Sequence, residues 1–305
     1  MSRLEKRRNK GKESTVAKKG FMLMLFSLMR GYLIRIFLLG VLFITLAGVV
    51  EAAPGRAVGE KRTPFRPGEE LTFNLRWGVF SVGTAVLLVN ESTEIDGIPA
   101  YHFTMTVRTN AFADRFYRVR DRVDAYLSKD LGRSLRYTKV QEGGNHDRDI
   151  VVTFDHRKGK VQYTNFGESQ EPIEIPGRIY DPLSVFFVFR TLDLIEGAMV
   201  ELPVTDGRRA VQGEGRVVAR ETVTVPAGQF ETIMAEPDMK DVRGVFDQSD
   251  DAVLRIWLTD DARRIPVRLS SRVVVGNFHA ELVQITGEER QVIPPPFPQI
   301  RRQRR

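Results

Sequence analysis

The chain of 305 residues contains no cysteine. This absence excludes disulfide bonds, thiolate metal sites, thiol catalysis and a lipid-modified N-terminal cysteine. The four histidines lie far apart, without the spacing of metal ligands, at His102, His146, His156 and His279. The sequence also lacks a nucleophile elbow, a phosphate-binding loop, a dinucleotide fingerprint and a zinc-protease pair. We therefore predict no cofactor, no metal site and no catalytic residue.

Long hydrophobic runs are scarce as well, and the main one lies near the N-terminus. The apolar residues 36–50 follow a basic cluster and precede Ala52 and Pro54. This order is typical of a signal peptide that is cleaved after a small residue. We therefore expect residues 1–52 to be an N-terminal extension with a signal peptide that exports the rest to the periplasm of a Gram-negative cell. An uncleaved inner-membrane anchor is the alternative, although the run is shorter than the ~20 apolar residues of a typical span.

The excess of positive charge belongs to that N-terminal extension. The whole chain carries a formal net charge of +7, but its first 52 residues hold ten Lys and Arg against three Asp and Glu. The remainder holds 36 basic and 36 acidic residues. A neutral remainder does not have the composition of a nucleic-acid binder, so we expect no nucleic-acid partner. We expect membrane contact only through the signal segment, before cleavage.

Both ends of the remaining chain have the composition of flexible segments. Residues 53–67 are rich in Gly, Pro and charged residues, as in a linker. Residues 291–305 combine a proline-rich stretch with four arginines, and we expect a disordered basic tail that could bind an anionic envelope polymer. Between these segments we predict a single β-rich domain, residues 68–290.

Short runs of alternating apolar and polar residues dominate this domain. Ile265, Val267 and Leu269 share one face of a predicted strand, while Arg268 and Ser270 point the other way. A period of two with one apolar face indicates a sheet that is buried on one side. About a dozen such runs predict an all-β, mainly antiparallel fold, curved into a barrel or half-barrel. Hairpin turns are predicted at residues 96–97, 142–145, 225–228 and 276–277.

One segment has helical rather than alternating periodicity. Asp181 is a capping residue followed by proline at the first helical position, and Gly197 ends the segment. Its apolar residues recur at helical spacing at Leu183, Phe186, Phe187, Leu192 and Ile195, widened by Phe189 and Leu194. We predict one short helix that caps one end of the barrel or covers an open face of the sheet.

The most unusual local composition lies in residues 114–124, where arginines alternate with aromatic, acidic and apolar residues. On a strand, one face would present Arg118, Arg120, Arg122, Asp124 and Tyr126, and the other Val119, Asp121, Val123 and Leu127. Arginines in a row can bind an anionic head group bidentately. The neighbouring aspartates can equally neutralise these arginines on a surface strand. The candidate ligand-binding residues are Arg118, Arg120, Arg122, Tyr126, Trp77 and Trp257.

Several phrases occur in a fixed order along the domain: LRWGVFSVG (75–83), DPLS (181–184), LPVTDG (202–207), VPAGQF (225–230), IWLTDD (256–261) and IPVR (265–268). In this combination the sequence resembles the bacterial exported family labelled domain of unknown function 3108. The resemblance covers about residues 68–287 and implies a periplasmic β-rich protein, with no established activity and no catalytic residues. The closing phrases are also similar to strands of lipoprotein-carrier proteins, which build an open half-barrel covered by helices.

Three functions fit this sequence. The first is a non-enzymatic binder or carrier of a lipid or other amphipathic envelope molecule. It is motivated by residues 82–89, in which both alternating sets are apolar, as in a barrel with an apolar interior. The second is an envelope assembly or scaffolding module that acts through protein or polymer contacts. The third is a cell-wall or glycan hydrolase, for which the sequence identifies no pair of carboxylates. We favour the first.

Overall fold

The computed structural model describes residues 63–143, 147–237, 253–273 and 276–287. The predicted signal peptide, the C-terminal arginines and most of the predicted linker lie outside these residues, so those assignments stay predictions. Within the described ranges, no helix is both long enough and apolar enough to span a membrane.

The described residues form sixteen strands and one α-helix. The strands are β1 (Glu70–Trp77), β2 (Phe80–Val89), β3 (Thr93–Ile95), β4 (Ile98–Thr109), β5 (Arg120–Ser128), β6 (Ser134–Glu142), β7 (Arg148–Asp155), β8 (Lys160–Asn165), β9 (Glu168–Ser169), β10 (Ile173–Glu174), β11 (Met199–Thr205), β12 (Ala210–Val225), β13 (Gly228–Pro237), β14 (Val253–Thr259), β15 (Pro266–Val273) and β16 (Gly276–Thr286). Helix α1 (Pro182–Arg190) lies between β10 and β11 in the chain, and a 3-10 turn, Ala113–Arg115, precedes β5.

All sixteen strands belong to one antiparallel sheet that stays open. The main path runs β10-β8-β7-β6-β5-β4-β2-β1-β16-β15-β14-β13-β12-β11, and beside it β3 pairs with β4 and β9 with β8. This confirms the predicted all-β antiparallel fold and favours the half-barrel over the closed barrel. The strands outnumber the predicted dozen partly because β3, β9 and β10 have only two or three residues, too few to show alternation.

The buried side of the sheet follows the alternation in the sequence. In β1, Leu71, Phe73 and Leu75 are buried, while Thr72 and Asn74 between them are half-buried. Residues of the same side from nearly every long strand meet in one hydrophobic core. We call this side the concave face and the opposite side the convex face.

The antiparallel register gives the half-barrel two distinct ends. The mouth is the end that holds the β1–β2 turn, the end of β4, the start of β5 and the β11–β12 turn. The base is the opposite end, with the start of β1, the end of β5 and the start of β6. Loops that are distant in sequence therefore gather at the mouth.

Two of the four predicted hairpin turns are confirmed, and the one at residues 142–145 lies partly outside the described residues. Strand β12 ends at Val225 and β13 begins at Gly228, while Asp96 and Gly97 join β3 to β4 with positive φ angles of 51° and 79°. The prediction of a turn at residues 276–277 is wrong, because Gly276 already pairs with β15 and begins β16. The connection between those two strands, residues 274–275, lies outside the described residues.

Helix α1 lies across the base and is buried along its whole length. Asp181 caps its first turn by accepting hydrogen bonds from the N–H groups of Leu183 and Ser184 at 2.9 and 2.8 Å. The other carboxylate oxygen accepts a hydrogen bond from the Ser134 hydroxyl of β6 at 2.5 Å. Burial raises the pKa of Asp181. This one side chain fixes the start of the helix on the sheet.

The helix ends sooner than the apolar pattern predicts. Its last residue is Arg190 rather than one near Gly197. The N–H of Thr191 bonds back to the carbonyl of Val188 at 2.9 Å, which tightens the last turn before the chain leaves the helical path. As a result Ile195, which we assigned to the apolar stripe, is 65% exposed.

Three aromatic rings attach the helix to the sheet. Phe187 stacks on Phe103 of β4 with the ring centroids 3.6 Å apart. Phe65 meets the rings of Phe187 and Phe103 edge-on, at 5.1 and 5.3 Å. Aromatic pairs of this kind contribute about 0.5–1.5 kcal/mol each beyond the apolar area that they bury. The residues just before β1 are therefore part of the core.

A buried ion pair joins the end of the helix to the base of the sheet. The Arg190 side chain has no solvent exposure, and its Nη1 donates to Glu69 Oε1 at 2.8 Å. Its Nη2 donates to the carbonyl of Arg263 in the β14–β15 turn at 3.0 Å. The guanidinium also lies 5.6 and 5.4 Å from the ring centroids of Phe65 and Phe187. One cation thus connects three segments that are distant in sequence.

Within the described residues, the two edges of the sheet approach one another, but no pair of edge strands is joined by a continuous series of hydrogen bonds. The β11–β12 turn reaches the concave face of β7 and β8, where a Cβ added to Gly207 would lie 2.9 Å from Val152. Because the φ of Gly207 is also +92°, glycine is required here. Nearer the base, Tyr180 bridges to β11 and Ile179 accepts a hydrogen bond from Ser134 of β6. The segment before the helix therefore fills the gap between β6 and β11.

We predict that Arg190→Met lowers the free energy of unfolding by about 3–5 kcal/mol, because it leaves the Glu69 carboxylate buried without its partner. Urea denaturation followed by circular dichroism measures the change. Arg255→Met is the matched control, since Arg255 pairs with Glu236 at 2.6 Å on the exposed side of β14, and we expect a loss of at most about 1 kcal/mol there. Equal losses in the two variants would contradict the role of the buried pair.

Candidate functional site

Two neighbouring strands turn polar side chains toward the concave face near the mouth. On β5, Asp121 belongs to the same alternating set as Val119 and Val123, and all three are buried. On β6, Lys139 pairs with Val123 and Gln141 with Asp121. Charged residues are rare on a buried sheet face, so this group is the first candidate for a functional site.

Asp121 has only half of its hydrogen-bonding capacity satisfied. Its Oδ2 accepts a hydrogen bond from Gln141 Nε2 at 2.9 Å, whereas its Oδ1 is buried without a hydrogen-bond partner among the described residues. Burial raises the pKa of Asp121 to about 6, against the opposing effects of Gln141 and Lys139. A buried carboxylate oxygen without a donor costs stability and is available to a ligand.

Lys139 is a half-buried cation that no described residue neutralises through a hydrogen bond or an ion pair. Burial lowers the pKa of Lys139 to about 8, although the charges of Asp121 and Asp206 act to raise it. The nearby charges of Arg148 and Arg208 act in the same direction as burial. The ammonium group is therefore poorly compensated within the protein, which makes it a good site for an anionic group.

The β11–β12 turn covers this group from the opposite edge of the sheet. Asp206 in that turn forms an ion pair with Arg208, in which Asp206 Oδ2 lies 3.0 Å from Arg208 Nη2. The Arg208 guanidinium lies 5.7 Å from the centroid of the Tyr163 ring. The close approach at Gly207 fixes the turn against β7 and β8. Asp121, Lys139, Gln141, Tyr163, Asp206 and Arg208 together form what we call the polar niche.

A row of paired residues connects the polar niche to an apolar cavity. The register places Leu87, Met105, Val123 and Lys139 opposite one another on β2, β4, β5 and β6. Strands lie about 4.8 Å apart, so Met105 and Lys139 are separated by roughly 10 Å. The cavity has a volume of about 20 Å³ and lies between helix α1 and the sheet, lined by Phe73, Leu87, Met105, Leu183, Phe186, Pro266 and Leu269.

The predicted arginine row lies on the convex face instead, and two of its members are neutralised. Arg120 Nη2 lies 2.6 Å from Asp114 Oδ2. Arg122 donates from Nε and Nη2 to both oxygens of Asp124, at 2.6 and 2.8 Å. Arg118 is exposed and precedes β5. The division of the strand into two faces is as predicted from the alternation, and ligand binding by the arginines stays a prediction.

Asp124 is the centre of a hydrogen-bond network on the convex face. Its Oδ1 lies 2.8 Å from His102 Nε2 and accepts a hydrogen bond from the Thr104 hydroxyl at 2.7 Å, while the His102 ring stacks on Tyr126 at 4.5 Å. Burial raises the pKa of Asp124, but the hydrogen bonds from His102, Arg122 and Thr104 outweigh burial and hold the pKa far below its usual range. The Thr104 hydroxyl oxygen also lies 3.5 Å from His102 Nε2, so Asp124, His102 and Thr104 form one connected group.

The two tryptophans lie apart from the arginine row and from each other. Trp77 is at the mouth end of β1 and stacks on Phe278 with the ring centroids 6.2 Å apart. Trp257 of β14 donates from Nε1 to Glu221 Oε1 at 2.6 Å, and Arg268 lies 5.9 Å from its ring centroid. The six predicted residues therefore do not form one site, and their role in ligand binding stays a prediction.

Comparison with known proteins gives a family but no activity. The family described as "Protein of unknown function (DUF3108)" matches residues 72–283. The chain belongs to this family. The match agrees with the resemblance found in the sequence, and a search of the curated proteins finds no match.

Solved structures with a similar arrangement share little sequence with this DUF3108 chain. A β-barrel-like protein of the domain of unknown function DUF1849 from Brucella abortus has 10% identity and a TM-score of 0.49, with 73% of this chain and 98% of that chain covered. A protein from Bacteroides fragilis described as exported, with a YmcC-like fold, has 11% identity and a TM-score of 0.33, with the same coverage. A protein from Parabacteroides distasonis described as a lipoprotein has 10% identity and a TM-score of 0.33, with 73% and 97% covered.

Replacing Asp121 or Asp124, two residues of strand β5, should change the free energy of unfolding in opposite directions. A raised native pKa means that the wild type loses stability as the pH rises from about 4, the unfolded pKa, to about 6. We therefore expect Asp121→Asn to increase the free energy of unfolding by about 2 kcal/mol near neutral pH, with the gain vanishing below about pH 4.

The lowered pKa of Asp124 has the reverse consequence. Its stabilising effect is present above the unfolded pKa of about 4 and is lost as the pH falls further, so Asp124→Asn should destabilise the protein near neutral pH by about 2 kcal/mol. Urea denaturation at a series of pH values measures both variants. Changes of the same sign near neutral pH would contradict the electrostatic difference between the two faces.

Proposed function

We propose that this protein is a non-enzymatic periplasmic binder of an amphipathic envelope molecule with an acidic head group. The observation that carries the proposal is the row on the concave face that leads from the apolar cavity at Leu87 and Met105 to the uncompensated ammonium group of Lys139. An apolar wall that ends about 10 Å away in a cation matches a molecule with an acyl chain and an anionic group.

The polar niche supports an acidic rather than a cationic head group. Lys139 has no ion-pair partner among the described residues, whereas Asp206 already holds Arg208. Asp121 is the remaining acidic group; with a pKa of about 6 it is mostly ionised at neutral pH and can donate a proton to an oxygen of the ligand only below about pH 6. A phosphate or carboxylate would therefore find the Lys139 cation in the niche at neutral pH, and a second donor when Asp121 is protonated at lower pH.

The apolar part of the ligand requires a movement of helix α1. A cavity of about 20 Å³ holds one group of the size of a water molecule, so an acyl chain cannot enter without separating the helix from the sheet. Leu183 and Phe186 of the first helical turns line this cavity. We therefore expect a chain to push Leu183 and Phe186 away from the sheet, while Asp181 and the Arg190 ion pair hold the two ends of the helix.

The test is binding of dansylundecanoic acid, a fluorescent amphiphile with a carboxylate, to the exported protein. We expect fluorescence enhancement with the wild type. Binding to Lys139→Met should be about tenfold weaker, because the variant loses one charge-assisted hydrogen bond to the ligand. Lys160→Met is the matched control, because Lys160 is an exposed lysine at the base end of β8. Leu87→Phe should also weaken binding, because the larger side chain fills the cavity.

Native mass spectrometry provides the second arm of this test. Protein extracted from cell envelopes should carry a bound lipid that Leu87→Phe and Lys139→Met reduce. Unchanged dye binding in both variants would overturn the proposed site. An unliganded mass for envelope-extracted wild type, together with no dye binding, would overturn the function.

A further inference from the structure

The mouth carries an exposed aromatic surface next to the β1–β2 turn. Val79 is 78% exposed, and Phe80 and Phe112 are 56% and 39% exposed. The rings of Phe80 and Phe112 stack with their centroids 6.1 Å apart, and Phe116 meets Phe112 edge-on at 5.6 Å. We call Val79, Phe80 and Phe112 the mouth patch. Exposed, adjacent large apolar residues of this kind mark an interaction surface.

The mouth patch is held in place by hydrogen bonds of its own loop. Asn110 Nδ2 donates to the carbonyl of Ser81 at 2.8 Å, and the Asn110 N–H donates to the carbonyl of Val82 at 3.0 Å. Asn110 Oδ1 accepts from the N–H groups of Phe112 and Ala113 at 3.1 and 3.0 Å. Asn110 thus fastens the loop after β4 to β2 through its backbone and its side chain, so the aromatic rings are presented without a further cost of ordering the backbone.

Two arginines beside the mouth patch can bind an external anion. Arg115 and Arg118 are exposed, and neither has an ion pair with a described residue. The neighbouring Asp114 is held by Arg120 at 2.6 Å, so one acidic group of this loop is already neutralised. A surface that combines exposed aromatic rings with unneutralised arginines is complementary to an interface between apolar chains and anionic head groups.

We propose that the mouth patch docks on a bilayer that contains anionic phospholipids, with the aromatic rings inserted at head-group depth and Arg115 and Arg118 on the phosphates. The three apolar side chains expose roughly 300 Å², too little for one side of a standard protein interface of about 800 Å² but sufficient for shallow insertion. Docking in this way turns the mouth of the half-barrel toward the membrane. The proposal stands on its own, and it would give the proposed amphipathic ligand a direct path to the polar niche.

The absence of cysteine allows a site-specific test on the exported chain, because Val79→Cys places one thiol in the protein. A nitrobenzoxadiazole label there should shift to shorter wavelength and brighten with vesicles of equal parts phosphatidylglycerol and phosphatidylcholine, and not with phosphatidylcholine alone. High salt should suppress the response. The same label at Ile195→Cys, an exposed apolar position at the base end, should not respond. Because the label reports its own surroundings, this readout distinguishes docking by the patch from binding by any other segment.

In the labelled background, Phe80→Ser should raise the vesicle concentration for half-maximal response about tenfold, and Arg115→Ser and Arg118→Ser about fivefold each. Phe166→Ser is the matched control, because Phe166 is 58% exposed at the same end but lies between the acidic residues Asp149 and Glu168. It should leave the response unchanged.

An equal response to neutral vesicles, or no effect of Phe80→Ser, would overturn the proposal. A response that grows with protein concentration in the absence of vesicles would assign the patch to a second copy of this chain and overturn it as well. Dye binding without vesicles is measured separately, so docking and the proposed ligand site can fail independently.

Discussion

The guanidinium of Arg190 is the point on which the base of this fold depends. Among the described residues, one α-helix covers the base of an open sheet of sixteen strands, and its last residue bonds to the segment before β1 and to the β14–β15 turn. The charge has no access to solvent, so it is tolerable only while Glu69 and the Arg263 carbonyl are both in place. Because the chain has no disulfide, this network takes the role of a cross-link between distant segments.

The two faces of β5 show how one sheet separates structure from binding. On the convex face, Asp124 receives several hydrogen bonds and its charge is fully used within the protein. On the concave face, Asp121 and Lys139 lie near one another without satisfying each other, although burial makes the charged form of each costly. Buried charges that lower stability and have no partner in the protein are better explained by a ligand than by folding. We therefore place the proposed function on the concave face.

The sequence predicts the local parts of this fold better than their assembly. Alternation identifies the faces of β5, Asp181 and the following proline identify the start of the helix, and residues 225–228 identify a hairpin. The end of the helix at Arg190 is not visible, because Leu192, Leu194 and Ile195 continue the apolar spacing. Asp121 could have been noticed as a charge within an apolar set, but Lys139 becomes its neighbour only through the pairing of β5 with β6. Such pairing depends on contacts between strands, which spacing along one strand does not encode.

The pairing of β1 with β16 sets the order in which this molecule can be completed. The first and last of the described strands lie side by side in the middle of the sheet, with Glu70 opposite Thr286 and Trp77 opposite Phe278. Until β16 is in place, β1 through β10 and β11 through β15 form two separate sheets with an unfilled gap between β1 and β15. Closing this gap requires contacts across nearly the whole domain, which makes late folding steps slow. Without β16, the two sheets would be joined only through helix α1 with its Arg190 network and through the contacts between their outer edges.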